Sequence, residues 1–171
     1  MERIAVVIGH NGVTKKLLED KSGVNLEIDS KLGEIVIDDH NVEDPLGVLK
    51  LESIIIAIGR GFSPEHAMKL LNDNNDLFIF DIHDYVGKKE SHVRRLKSRI
   101  IGTKGKTKHV IEELTDSSIS VYGHTVSIIT DFMSMDIAKR AIDKLLSGSK
   151  HATVYRYIES NMKQLRLSGK L

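Results

Sequence analysis

The chain has 171 residues, of which 40% are hydrophobic and 29% are charged, and its formal net charge is +1. This composition allows one large domain or two small ones with buried cores, and it excludes a disordered or strongly basic protein. The chain has no cysteine, which excludes a disulfide framework, and no apolar run near the roughly 18 residues that span a bilayer. We therefore expect a cytoplasmic protein that makes no contact with a membrane.

The first third of the chain predicts a small unit of helices and strands. Residues 3–8 predict a strand that leads into a tight turn, and residues 13–21 predict a short helix. Alternating polar and apolar residues predict two strands, 25–29 and 34–38, that pair as a hairpin. Residues 44–61 combine a helix-start signal, apolar residues at helical spacing and a glycine-rich stop, which predicts a helix with one buried face.

Residues 63–92 are expected to connect two domains. Their sequence predicts a helix that ends near Leu71, a strand over residues 77–82, and a basic helix or extended arm from Glu90 onward.

The second half of the chain follows the same order as the first. Residues 99–102 form an apolar, strand-like run that ends in a tight turn, and the residues after the turn have helical periodicity. A hairpin of residues 119–121 and 126–129 follows. A helix over 135–146 and a C-terminal helix over 151–167 complete the prediction.

The turn in the second half has the spacing G-x-x-G. Glycine lets the backbone turn tightly and lets a ligand backbone approach closely, and the following helix offers N–H groups and a positive dipole end that suit a phosphate. KH domains use such a loop to clamp about four nucleotides by their backbone, although an isolated G-x-x-G is also compatible with an ordinary turn. The candidate residues of this loop are Gly102, Thr103, Lys104, Gly105, Lys106 and Lys108.

A second copy of the motif favours the KH interpretation. Residues 7–19 align with residues 100–112 at a constant offset of 93, and the alignment continues to Asp38 and Asp131. A repeat of this length indicates one supersecondary unit used twice. The residues identical to their partners around the loop are Ile8, Gly9, Gly12, Thr14, Lys15 and Glu19.

The first loop is less basic than the second. His10-Asn11 stands where the second copy has Thr103-Lys104, and acidic residues lie close by in sequence. We expect the second unit to dominate RNA affinity and the first to bind more weakly or to contact protein. The candidate residues of the first loop are Gly9, His10, Asn11, Gly12, Lys15 and Lys16.

A run of positive charge leads into the second loop. Residues 88–109 contain nine lysines and arginines and one glutamate. A charge run is usually a solvated face, but an anionic polymer that passes this loop would also meet the run. The candidate residues outside the loop are Arg94, Arg95, Lys97 and Arg99. Since aromatic residues make up only 5% of the chain, we expect an aliphatic groove for the bases, lined by Ile101 and Ile119.

The sequence does not indicate catalytic or metal chemistry. His83 lies in Asp81-Ile82-His83-Asp84, where a strand end followed by a turn is favoured over a metal site. The chain has no Ser-His-Asp order and no G-x-x-x-x-G-K-[ST] phosphate loop. We expect no catalytic residues, no metal and no cofactor.

Four segments carry a family resemblance: 57–65 (AIGRGFSPE), 94–102 (RRLKSRIIG), 119–123 (ISVYG) and 148–155 (GSKHATVY). On these segments the sequence resembles the archaeal members of the Partner-of-Nob (Dim-two) family, two-KH-domain proteins of small-subunit ribosome biogenesis. The resemblance implies binding of small-subunit rRNA near its 3′ end. It also implies work beside the endonuclease that matures that end, and a link to a translation initiation factor subunit.

Together, the residues and the resemblance predict an α+β protein with two tandem type I KH domains and a C-terminal helix. Each domain is expected to pack a three-stranded sheet on three helices. Residues 1–62 form the first domain, 63–92 the connection, and 93–171 the second domain with the C-terminal helix. The predicted function is non-enzymatic binding of single-stranded RNA. The alternatives are a protein-interaction module for a nuclease or initiation factor with incidental RNA contact, and an RNA-processing enzyme.

Overall fold

The computed structural model describes residues 3–38 and 45–169. The chain divides into two compact units, Met1–Asp73 and Asn74–Leu171. None of the helices in the described residues is long and apolar enough to cross a membrane.

The first unit packs helices against a β-hairpin. Its elements are α1 (Ile4–Ile8), α2 (Val13–Ser22), β1 (Asn25–Asp29), β2 (Glu34–Asp38), α3 (Pro45–Gly59) and α4 (Pro64–Ala67), which continues as a 3₁₀ turn over Met68–Leu71. Strands β1 and β2 are antiparallel, and Leu26 opposes Ile37. Apolar side chains that are fully buried here include Leu18, Leu26, Leu51, Ile54 and Ile58.

Residues 4–8 form a helix, so the predicted strand over residues 3–8 is wrong. The β-branched residues of this segment favour a strand by propensity, but Ile4 and Val7 lie one helical turn apart and are both buried, so packing decides the conformation. As a result, the described part of the first unit contains a two-stranded sheet. The expected three-stranded sheet is therefore not observed in that part of the unit.

The second unit has the element order of a type I KH domain. Its elements are β3 (Asn75–Asp81), α5 (His83–Val86), α6 (Glu90–Ile101), α7 (Lys106–Thr115), β4 (Ser118–Tyr122), β5 (Thr125–Asp131), α8 (Phe132–Leu146) and α9 (His151–Leu167). The sheet order is β3-β5-β4, with both strand pairs antiparallel. The sheet and the helices α6, α7, α8 and α9 meet in one core. Its fully buried residues include Ile100, Ile111, Ile128 and Ile142.

Two features of the second unit differ from the sequence-based prediction. Strand β3 pairs with β5 along its whole length, from Asn75–Asp131 to Asp81–Thr125, so it belongs to the second unit rather than to a connection over residues 63–92. Helix α6 extends to Ile101, so the strand-like run at residues 99–102 is helical up to Gly102. The apolar residues there are spaced to bury Leu96 and Ile100 on one helix face.

The internal repeat extends further than the sequence alone indicates. Helix α3 corresponds to α8 at an offset of 87, because six residues separate β2 from α3 whereas β5 runs directly into α8. After each helix the backbone turns at a positive-φ glycine, Gly61 (φ 101°) and Gly148 (φ 98°). At the same offset, α4 starts at Pro64 and α9 starts at His151. The first unit thus repeats the second from the end of α6 to the start of α9, without a counterpart of β3 among its described residues.

Candidate nucleic-acid interface

The G-x-x-G loop joins α6 to α7 through a single 3₁₀ turn, Thr103–Gly105. Gly102 has φ 74° and ψ 177°, a region of backbone space that is essentially restricted to glycine. A Cβ at this position would also lie 2.7 Å from the backbone nitrogen of Thr107 and would overlap its side chain. Gly105 has φ 80° and ψ 4° and is the N-cap of α7. The loop therefore leads the chain directly into the N-terminus of a ten-residue helix.

The side chains of this loop point towards solvent. Thr103, Lys104 and Lys106 are exposed, and Lys104 adopts the left-handed conformation with φ 53° and ψ 31°. The N–H groups of the first turn of a helix have no partners within the helix and carry the positive end of its dipole. Two lysines beside such a helix start form a site suited to phosphate oxygens.

A cavity of about 630 Å³ runs along α6 to the residue before the loop, and we refer to it as the groove. It lies between α6 and the turn that joins β4 to β5. Its lining combines basic side chains with the apolar Val93 and Ile101, so it can contact both phosphates and bases. The lining residues are His83, Lys88, Glu90, Val93, Arg94, Lys97, Ser98, Ile101, Gly123 and His124.

Three of the predicted residues outside the loop line this groove: Arg94, Lys97 and Ile101. Their spacing along α6 places them on one helix face. The groove also contains residues that sequence reasoning missed, in particular Lys88 and the Gly123–His124 turn. Lys88 is the first residue of the basic run at residues 88–109, so the sequence did contain a signal for it. The turn could not be found in this way, because only the pairing of β5 with both β3 and β4 brings it close to α6.

Arg99, which is predicted to contact RNA, makes hydrogen bonds within the second unit. Its Nε donates a hydrogen bond to the carbonyl of Leu145 at 2.8 Å, and its Nη2 donates to the carbonyl of Ser149. His151 Nε2 donates back to the carbonyl of Arg99 at 3.0 Å. Arg99 thereby ties α6 to the junction between α8 and α9. Because the carbonyls of Leu145 and Ser149 hold the guanidinium of Arg99, this side chain is directed away from the groove.

Arg95 and Arg99 line a second cavity of about 900 Å³ next to the junction of α8 and α9. Tyr85 is also in its wall and donates a hydrogen bond to Asp143 Oδ1 at 2.8 Å. Burial, followed by this hydrogen bond to a carboxylate, raises the pKa of Tyr85 to about 12. The wall of this cavity combines residues of α5 and α6 with residues 146–148 and His151 at the junction of α8 and α9.

Two further residues of the predicted RNA site, Ile119 and Lys108, make contacts within the second unit. Ile119, expected to line the groove, is 3% exposed and lies in the core, because its position in β4 faces the helices. Lys108 is paired with Glu112, with Nζ 2.9 Å from Oε1 and 3.0 Å from Oε2. Glu112 also accepts a hydrogen bond from the backbone nitrogen of Ile119 at 2.7 Å. The positive charge of Lys108 is therefore paired with the Glu112 carboxylate within the second unit.

The first loop has the same backbone conformation as the second. Gly9 (φ 72°, ψ 177°), Asn11 (φ 51°, ψ 30°) and Gly12 (φ 77°, ψ 8°) match Gly102, Lys104 and Gly105 within a few degrees. The side chains differ in charge. Where the second loop has lysines at positions 104 and 106, the first has Asn11 and Val13, and Lys15 lies 3.7 Å from Glu19. One loop shape is thus present twice, with the basic version in the second unit.

Comparison with known proteins identifies the family. Residues 76–163 match the family model of the second PNO1 KH domain, described as a eukaryotic-type (type I) KH domain. The chain belongs to the PNO1/Dim2-type KH-domain family. It is an RNA-binding KH-domain protein of a pre-rRNA-processing family, which confirms the family predicted from the sequence. The family model matches one KH domain, so the other expected KH domain stays a prediction.

The relatives come from archaea and eukaryotes. A KH domain-containing protein of Methanocaldococcus jannaschii is 42% identical over 96% of this chain and 72% of its own length. The pre-rRNA-processing protein PNO1 of Coccidioides immitis is 33% identical over 84% of this chain and 58% of its own. A solved structure of the a/eIF2alpha–aDim2p–rRNA complex from Pyrococcus horikoshii OT3 matches with a TM-score of 0.88 and 46% identity, over 96% of this chain and 90% of the other.

Proposed function

We propose that the second unit binds single-stranded RNA along the groove, and that this RNA is small-subunit rRNA near its 3′ end. The observation that carries the proposal is the G-x-x-G loop of the second unit. This loop ends at the N-terminus of α7 and carries two exposed lysines next to a groove lined by basic and apolar side chains.

In this proposal the RNA backbone lies against the loop. Phosphate oxygens accept hydrogen bonds from backbone N–H groups near Gly102 and Gly105, and Lys104 and Lys106 neutralise their charge. Arg94 and Lys97 extend the positive path along α6. The bases enter the groove and pack against Val93 and Ile101, since an aliphatic surface can bury a base face without an aromatic partner.

The proposed target and partners rest on the relatives. The fungal relative is named for pre-rRNA processing, and the Pyrococcus structure contains rRNA together with an initiation factor 2 subunit. We propose that this chain acts in the same process, as a non-enzymatic binding protein that holds the rRNA 3′ end for a maturation endonuclease. We also propose that it contacts the α subunit of initiation factor 2.

We further propose that the chain is a tandem KH protein whose first unit is a reduced copy. The matching loop conformations and the repeated order of helices and strands support a common origin of the two units. Because its loop lacks the two lysines and its described residues form only a two-stranded sheet, the first unit serves protein contacts or binds RNA weakly.

The test is the affinity of the full chain for a short RNA with the small-subunit 3′-end sequence, compared with a scrambled RNA of the same composition. Thr103→Asp/Lys104→Asp places two carboxylates where phosphates are proposed to bind. We expect the affinity of this variant to fall at least about tenfold, since phosphate contacts dominate the binding free energy.

The matched control is His10→Asp/Asn11→Asp, which adds the same two carboxylates to a loop of the same conformation. We expect this variant to retain most of the affinity. If both variants bind as wild type does, and the initiation factor subunit still binds, the protein-interaction alternative is supported instead. Equal affinity for the two RNAs would reject the proposed rRNA target but not the groove.

A further inference from the structure

Three metal-ligating side chains meet at the edge of the second unit, where β3 ends beside the turn between β4 and β5. They are Asp81, His83 and His124, and one ligating atom from each lies within 4.8 Å of the others. His83 Nδ1 is 3.3 Å from Asp81 Oδ1, and His124 Nε2 is 3.6 Å from Asp81 Oδ2. The imidazole nitrogens of both histidines thus face the same carboxylate.

These distances are compatible with a shared ion. Ligand atoms that each lie about 2.1 Å from a tetrahedral zinc ion are about 3.4 Å apart. The two measured nitrogen–oxygen distances, 3.3 and 3.6 Å, lie on either side of that value, and they join the two histidines to different oxygens of the Asp81 carboxylate. Two imidazoles and one carboxylate are also the donor set of a known class of zinc sites, in which the fourth position remains open to solvent or ligand.

The backbone that holds the three residues is well fixed. Asp81 is the last residue of β3 and opposes Thr125 in the β3–β5 ladder. The backbone nitrogen of Ile82 donates to the carbonyl of His124 at 2.8 Å, and the backbone nitrogen of His83 donates to Asp81 Oδ1 at 2.8 Å. The last bond also orients the carboxylate, which is the usual task of a second hydrogen-bonding partner around a metal ligand.

The two histidine rings are stacked face to face, with centroids 4.5 Å apart and an angle of 15° between their planes. A metal ion lies in the plane of each imidazole that binds it, so one of the two rings must rotate about its Cβ–Cγ bond, a broad torsion in histidine, before both can share an ion. The side chains are 27% (His83), 41% (Asp81) and 46% (His124) exposed, so an ion can reach them from solvent.

We propose that Asp81, His83 and His124 bind one divalent transition-metal ion of the zinc type. Both histidines line the groove, so the ion would add two positive charges to its wall and leave an open position there. The site is defined by this chain's own side chains, and its existence does not depend on RNA binding.

The test is titration of the untagged, metal-free full chain with Zn²⁺ in competition with a chromogenic chelator. Wild type is expected to bind one ion per chain. His83→Gln and His124→Gln should each weaken this binding at least about tenfold, because each removes one of three ligands. The matched controls are His92→Gln and His109→Gln, which change exposed histidines on α6 and α7 and should leave the affinity unchanged.

X-ray absorption of the zinc-loaded wild type provides a second readout that needs no variant. The proposal requires two imidazole nitrogens in the first coordination shell. It is overturned if no ion binds, if the control variants lose affinity as much as His83→Gln and His124→Gln do, or if the zinc shell contains no pair of imidazoles.

Discussion

Gly102 is held in place by its backbone conformation and by its neighbours. Its φ and ψ lie in a region that side chains essentially exclude, and a Cβ would overlap Thr107. Gly105 also has a positive φ but has open space where a Cβ would be placed. The two glycines of the motif therefore have different structural roles, a difference that the spacing G-x-x-G does not reveal.

We predict that Gly102→Ala is clearly more destabilising than Gly105→Ala. The first substitution should lower the free energy of unfolding by about 2–4 kcal/mol, from backbone strain and overpacking together. The second should cost about 1–2 kcal/mol, from left-handed backbone alone. Urea denaturation of both variants measures the difference, and equal losses would contradict the geometry described for Gly102.

The basic residues of α6 separate into two roles. We predict that Arg94→Gln and Lys97→Gln each lower RNA affinity and reduce the salt dependence of log affinity by about one unit, with little change in stability. Arg99→Gln should instead lower the free energy of unfolding by about 1–3 kcal/mol, because it removes hydrogen bonds to two backbone carbonyls. The salt dependence of RNA binding and urea denaturation, measured on all three variants, distinguish the roles. A normal stability of Arg99→Gln would contradict the assignment.

The burial of Tyr85, together with its hydrogen bond to Asp143, raises the pKa of Tyr85 and makes stability depend on alkaline pH. Tyr85 loses its proton near pH 10 in the unfolded chain but has a pKa of about 12 in the folded unit. The folded state therefore binds more protons in this range, so its stability should fall as pH rises from 10 to 12.

Titration of tyrosinate absorbance tests this expectation. Asp143→Asn should lower the pKa of Tyr85 but leave it raised, because burial is the largest cause. Asp136→Asn changes an exposed carboxylate on the same helix and is the matched control. If Asp143→Asn leaves the titration unchanged, the hydrogen bond to Tyr85 does not form in solution.

At the scale of elements, a glutamate fastens a helix to a strand in each copy. Glu112 accepts from Ile119 at 2.7 Å, and Glu19 accepts from Leu26 at 2.8 Å, at the same offset of 93. The sequence alignment identifies Glu19 and Glu112 as equivalent, but it gives no sign that either binds the backbone of the following strand.

We predict that Glu112→Ala lowers the free energy of unfolding by about 1–3 kcal/mol, since it leaves the N–H of Ile119 without its acceptor. The neighbouring Glu113→Ala, an exposed position on the same helix, should change it by less than about 0.5 kcal/mol. Thermal or urea unfolding of the two variants gives the comparison. Similar losses would mean that helix propensity, rather than the contact to β4, explains the effect.

Hairpins, caps and long helices could be predicted from the sequence, whereas short apolar segments could not. Residues 4–8 and 99–101 are rich in β-branched residues and were compatible with strands, yet both form the helix that precedes a G-x-x-G loop. Such runs are too short for periodicity to separate a buried strand from one face of a helix. Their conformation is decided by packing, as the burial of Ile4, Val7 and Ile100 shows.

At the scale of the whole molecule, the repeat was the most informative feature of the sequence. It correctly paired the loops and hairpins of the two units. The predicted connection over residues 63–92 differs from the division of the structure between Asp73 and Asn74, because β3 lies in that segment and completes the sheet of the second unit. The wall of the groove could not be predicted either, since the β4–β5 turn is placed beside α6 by the pairing of β3 with β5, whose partners are 44 to 56 residues apart in sequence.

The central claim is that RNA lies on the second loop and its groove. Backbone amide hydrogen exchange of the full chain, with and without the rRNA 3′-end oligonucleotide, tests it without any substitution. We predict slower exchange in residues 101–108 and in the Gly123–His124 turn, and little change in the matching first loop at residues 8–15. It is contradicted if protection appears at the first loop or around the junction of α8 and α9, while residues 101–108 exchange as in the free protein.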